Sequence, residues 1–279
     1  MQTISFTNDQ IVKHLRWVMI GTMLFSMVIT LVGQPDGFWQ HPEIAIRGDG
    51  LSIENETNHT FEFFLGSGWQ AYFLANLIYF VGAFLLVSVL PKGASLITIF
   101  SFIFGHYFVG CNWLAVRWHF GMNAAPLYGI VISTFIAFNL FQEISTNSSE
   151  ILKRLRWLMA GTIILDFANT LIGQPNSYWI HPDMVHEGNQ LSRFFLLKGW
   201  YSFALYDVVY IASIFLLVSY VPKRLALILI FCFILIHFVG ASCWFFYEWR
   251  MGMESPVILG IILSAALVWL TFYFKPRTT

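Results

Sequence analysis

The chain has 279 residues, of which 57% are hydrophobic and only 11% charged, with 15 basic and 15 acidic side chains and zero formal net charge. Its mean hydropathy is +0.67. Such a composition excludes an ordinary soluble domain, and the absence of any polybasic run excludes a nucleic-acid-binding surface.

Apolar runs of helical length recur along the chain. About 20 apolar residues are needed for a helix to cross roughly 30 Å of hydrocarbon. Eight segments meet that need, near Trp17–Val32, Ala71–Leu90, Ala94–Val116, Ala124–Phe141, Trp157–Ile172, Tyr201–Val221, Leu225–Tyr247 and Pro256–Phe274. A transmembrane β-barrel would instead show short alternating segments. The polar start, MQTISFTNDQIVKHLRW, lacks the basic tip and small-residue cleavage site of a signal peptide, so the first helix is expected to serve as an uncleaved insertion signal.

The charge distribution predicts topology. On one side fall ten basic residues, including Lys13, Arg16, Lys92, Arg156 and Lys223; on the other fall five, Arg47, Arg117, Arg193, Lys198 and Arg250. The positive-inside rule then puts both termini in the cytoplasm of a multi-pass plasma (inner) membrane protein.

The first half is repeated in the second. KHLRWVMIGT matches KRLRWLMAGT, and GQPDGFWQHP at Gly33–Pro42 matches GQPNSYWIHP at Gly173–Pro182. Ten of 22 positions agree between Gly21–Pro42 and Gly161–Pro182. Further on, GSGWQAY matches LKGWYSF, FLLVSVLPK matches FLLVSYVPK, and GHYFVGCNW matches IHFVGASCW. The offset is 140 residues at first and 131 later, because the first copy carries a longer outer loop. The expected fold is therefore an all-α integral membrane protein with two parallel four-helix repeats, residues 1–146 and 147–279, about a pseudo-twofold axis along the membrane normal. In the Gly-Gln-Pro motif, Gly is expected to take a left-handed cap and Pro to stop the helix. Trp39, Trp179, Trp69 and Trp200 are expected at headgroup level.

Differences between the copies point to a site. Asp166 aligns with Ser26, and Asp207 with Asn76, while both copies keep a histidine inside a helix, His106 and His237. Counting about 1.5 Å per residue from the outer helix ends puts Asp166, Asp207 and His237 in one layer, roughly 10–16 Å deep. An Asp alone near a helix centre costs at least about 2.5–3.5 kcal/mol, so these groups are expected to work together. Gln174 and His181 of the repeated loop are candidates to face a ligand, with a purely structural role for that loop as the other reading. So is a hydrogen-bonded clamp for the trio, through Asn169, Thr170, Tyr206 or Tyr210.

Several chemistries suit the trio. Two carboxylates and an imidazole match a proton relay or a cation site. The same residues can ligate a divalent metal such as zinc or iron, leaving one position for water. His106 and His237 can hold haem from both sides, although no Cys-x-x-Cys-His run accompanies them. The leading expectation is a carrier binding a proton, cation or small polar solute from the extracytoplasmic side. Alternatives are an intramembrane metalloenzyme, with His181, His186 or Glu187 in support, and a non-catalytic subunit contacting partner membrane proteins through 29 Phe and 11 Trp. Arg47 aligns with Glu187 and Arg117 with Glu248; these swaps suggest outer ion pairs between the halves, or an asymmetric mouth. Cys111, Cys232 and Cys243 read as buried apolar residues. The triplets at Asn55 and Asn58 are formal glycosylation sequons. No intramembrane Lys, nucleophile elbow, zinc-protease helix or phosphate loop is present.

Overall fold

The computed structural model describes residues 9–42, 59–144 and 148–273. Arg47, both sequons, Lys275 and Arg277 lie outside the described residues. Among those described, the chain is all-helical, and eight helices are long and apolar enough to cross a membrane. In order these are α1 (Asp9–Val32), α3 (Trp69–Val89), α4 (Lys92–Val116), α5 (Ala124–Ile144), α6 (Ser148–Ile172), α8 (Trp200–Tyr220), α9 (Lys223–Cys243) and α10 (Glu254–Val268), the last carried on by a π-helical turn to Tyr273. All eight coincide with the apolar runs of the sequence. Two short helices, α2 (His59–Gly66) and α7 (Gln190–Leu196), precede α3 and α8.

Local chemistry explains the helix ends. The α3–α4 and α8–α9 turns pass through Leu90-Pro91 and Val221-Pro222, where the residue before Pro is held extended and the helix stops. Asn189 caps α7 by accepting from the Leu191 and Ser192 amides. Gly68 and Gly199 stand just before α3 and α8 with φ of 111° and 104°, a backbone shape that glycine tolerates and other residues resist. Gly33 and Gly173, in contrast, are not in the left-handed region expected of them. Their amides still donate to Ile29 and Asn169, so the right-handed turn runs on until Pro35 and Pro175 end it. Glycine is needed there for a different reason. A Cβ on Gly33 would come within 2.7 Å of the Trp113 ring, and one on Gly173 would overlap the Trp244 ring.

The two halves interlock. α4 packs against α1 of its own half and α10 of the other, while α9 packs against α6 and, from the other half, α5. Residues 1–146 and 147–279 are thus consecutive in sequence but interleaved in space. Between α4 and α9, the Phe100 and Phe231 rings stack with centroids 6.2 Å apart and planes 7° apart. α3 and α8 are the least enclosed of the eight. Contacts recur at the sequence offsets: Arg16 donates to Ser88 Oγ and Arg156 to Ser219 Oγ, each at 2.7 Å.

Candidate functional site: a buried Asp–His–Tyr chain

Three helices of the second half converge on His237. From α9, its Nδ1 lies 2.8 Å from Asp166 Oδ2 of α6, and its Nε2 lies 3.2 Å from the Tyr210 hydroxyl of α8. His237 is buried and Asp166 nearly so. Gly240 follows His237 by three residues and so lies on the same helix face. A Cβ at Gly240 would overlap the Asp166 carboxylate, so this glycine makes room for the acid.

The first half repeats the arrangement without the acid. Ser26 Oγ lies 2.7 Å from His106 Nδ1, and His106 Nε2 lies 3.4 Å from the Tyr79 hydroxyl. The single hydroxyl proton of Ser26 goes to the Met23 carbonyl at 2.8 Å. Ser26 must therefore accept from His106 Nδ1–H, which leaves Nε2 to accept from Tyr79. In the second half the Asp166 carboxylate stands where Ser26 stands in the first, and when ionised it likewise accepts from Nδ1–H. One histidine is thus paired with a hydroxyl and the other with an acid.

Asp207 is buried on α8, three residues before Tyr210, and its Oδ1 has no hydrogen-bond partner. At the matching position Asn76 donates to the Tyr72 carbonyl at 2.9 Å, a bond a carboxylate cannot make.

The loop after α6 covers this chain. Gln174 accepts from the His186 amide and donates to the His186 carbonyl, both at 2.9 Å, and also donates to Thr170 O. It is a clasp between helix end and loop. His186 Nδ1 pairs with Glu248 Oε2 at 3.0 Å. Next to it, Glu187 accepts from the Asn189 amide at 2.7 Å. Burial, and then the nearby Asp166 carboxylate, push the Glu187 carboxyl up to about 7; the Asn189 amide and His186 pull the other way. This end of the second half thus carries His186, Glu187 and Glu248 together.

Other expectations are redirected. No group of three His, Cys, Asp or Glu among the described residues is arranged to hold a metal ion. Asp166 spends an oxygen on His237. Both nitrogens of His106 and of His237 face partners within their own halves, which leaves neither ring a nitrogen for a haem bridge. His181 is exposed on the loop, where its backbone amide donates to Ser177 O. Arg117 and Glu248 do not pair: Arg117 Nε donates to Gly33 O at 2.7 Å, capping α1, and Glu248 takes His186. Tyr210 and Gly240 are the residues that sequence reasoning undervalued, although both were visible, Tyr210 by its match to Tyr79. All three cysteines are free, with Cys111 and Cys232 buried.

Comparison with known proteins gives no matching family model, no matching curated protein and no matching solved structure. What the comparisons leave in place is the coarse statement of the fold: a multi-pass, helical membrane protein whose surroundings are a lipid bilayer.

Proposed function

We propose that this chain is a small polytopic carrier of the plasma membrane, with both termini cytoplasmic. It binds a proton, a cation or a small polar solute at Asp166, His237 and Tyr210, with Asp207 beside them. Access is from the extracytoplasmic side, past Glu187. Two parallel four-helix units about a pseudo-twofold axis form the scaffold, and the first unit, with Ser26 and His106, is the uncharged support. The recurrence of Arg16–Ser88 as Arg156–Ser219 and the stacking of Phe100 on Phe231, its counterpart at the 131-residue offset, support that scaffold.

One observation carries the functional reading: the same histidine–tyrosine frame ends on a hydroxyl in one half and on a carboxylate in the other. Intramembrane carboxylates are expensive and mark ion or proton pathways in membrane proteins. A fixed clamp needs no charge, as Ser26 and His106 illustrate.

Infrared difference spectroscopy of the purified protein in lipid nanodiscs tests this. The account expects a carboxyl band that appears and disappears between about pH 4 and pH 9. With Glu187→Gln in every sample, to remove the other carboxyl that is pushed up to about 7, the band is lost in Asp166→Asn and kept in Ser26→Ala. A spectrum with no titrating buried carboxyl, identical in Asp166→Asn and wild type, overturns it in favour of a structural clamp.

A further inference from the structure

The residues beside the two acids also differ between the halves. Beside Asp166 stands Phe167, where the first half has Met27, and beside Asp207 stands Tyr206, where the first half has Ala75. α6 and α8 thus each carry an aromatic ring next to a carboxylate in sequence, although nearby exchanges run the other way, Phe25 to Leu165 and Phe73 to Ala204. Phe167, Tyr206 and Tyr210 form a continuous ring cluster against His237. Phe167 lies 5.5 Å from the His237 ring, 5.5 Å from Tyr210 and 6.1 Å from Tyr206, centroid to centroid, and Tyr206 lies 5.8 Å from Tyr210. The rings therefore form one environment.

Carboxylates alone would suit a proton or a metal ion, and rings alone would be filling. Their combination is more selective. Inorganic cations are strongly hydrated and need several oxygens to replace their water, which a wall of rings does not supply. Alkylammonium ions are weakly hydrated, and the negative face of an aromatic ring attracts them. An acid within the wall then neutralises the charge. Asp207 meets that requirement in an unusual way. It is 8% exposed, and its Oδ1 is a buried acceptor with no donor. Buried acceptors are nearly always satisfied, so a lone carboxylate oxygen indicates a donor brought by something else. Tyr206 and Tyr210 are only half-buried, which leaves one edge of the wall open.

We infer that Asp207, with Asp166 behind it and the rings of Phe167, Tyr206 and Tyr210 around it, forms a site for a small protonated alkylamine. The amine N–H donates to Asp207 Oδ1, and the alkyl groups lie against the rings. This rests on the carrier reading above and gives it a substrate class.

Calorimetry on the protein in nanodiscs tests it, with trimethylammonium and methylammonium chloride as probes and potassium chloride as competitor. Saturable trimethylammonium binding that potassium does not displace is the expected result. Restoring the first-half residue, by Tyr206→Ala or Phe167→Met, should weaken it by about 3- to 30-fold, the range expected for removing one cation–π partner. Asp207→Asn should weaken it by more, and Ala75→Tyr in the first half should leave it unchanged. Thermal unfolding of each variant checks that the fold is kept. Absence of alkylammonium binding, equal displacement by potassium, or indifference to Tyr206→Ala and Phe167→Met in folded protein overturns the inference. The Asp166 infrared band separates the two levels. If it titrates while no amine binds, only the amine site is lost; if it does not titrate and no amine binds, the carrier reading falls as well.

Discussion

The Asp166 carboxylate, 2.8 Å from His237, occupies the space where a side chain on Gly240 would otherwise lie. The acid and the glycine are on different helices, so the pairing is a feature of how α6 meets α9. Gly240→Ala forces either the carboxylate or the helix to move. The expected cost is about 1–3 kcal/mol, as for overpacking elsewhere. A lower thermal midpoint, together with a changed His237 imidazole NMR signal, is the result that checks it. An unchanged His237 signal would mean that the Asp166–His237 pair is undisturbed and that Gly240 is not what makes room for it.

Asp207 makes a prediction of the opposite sign. Its Oδ1 has no partner, whereas Asn76 at the equivalent position bonds the preceding turn. Asp207→Asn should therefore raise the unfolding midpoint by providing a donor and removing a buried charge. Function should suffer as stability improves, the usual sign of a site kept strained for a purpose. Thermal unfolding alongside ligand binding on one sample of each protein measures both.

Glu187 predicts a pH dependence. Its carboxyl is pushed from 4.5 up to about 7, chiefly by burial, with Asp166 adding and His186 subtracting. Between those two values the folded chain holds a proton that the unfolded chain releases. Its stabilising contribution is therefore complete below about 4.5 and is lost as pH rises through about 7. Glu187→Gln should leave the midpoint near pH 4.5 almost unchanged and raise it relative to wild type above pH 7. Parallel melting curves across that range provide the check.

Close approach, not turn geometry, governs the repeated motif. Gly33→Ala and Gly173→Ala each drive a methyl group into a tryptophan ring, Trp113 or Trp244. A loss of about 1–3 kcal/mol is expected for each. The Gly173 variant should also disturb the Trp244 Nε1 bond to Thr170 Oγ1, now 3.0 Å, and so shift tryptophan fluorescence.

Length and apolarity made the eight spans legible, because a bilayer imposes both on any helix that crosses it. Helical rise likewise put Asp166 and His237 at one depth. Depth is not azimuth, however. Asp207, on α8 three residues before Tyr210, is not part of the Asp166–His237 bond. Spacing along one helix says nothing about how a second helix is rotated against it. The role of Gly173 was hidden for the same reason, since Trp244 belongs to a helix 71 residues further along the chain. Short α2 and α7 carry no span-like run, although Asn189 ahead of Leu191 and Ser192 was a readable cap. Arg117 and Glu248 were legible as a charge swap, but their actual partners, Gly33 O and His186, were not.

The most direct test of the central claim is flux in proteoliposomes. Protein reconstituted with a pH-sensitive dye inside is given an outward pH gradient, with and without external trimethylammonium, for wild type, Asp166→Asn and Ser26→Asn. The account predicts a protein-dependent signal that disappears in Asp166→Asn and survives in Ser26→Asn. Equal signals from wild type, Asp166→Asn and empty vesicles would contradict it, and would leave the Asp166–His237 bond as a structural clamp.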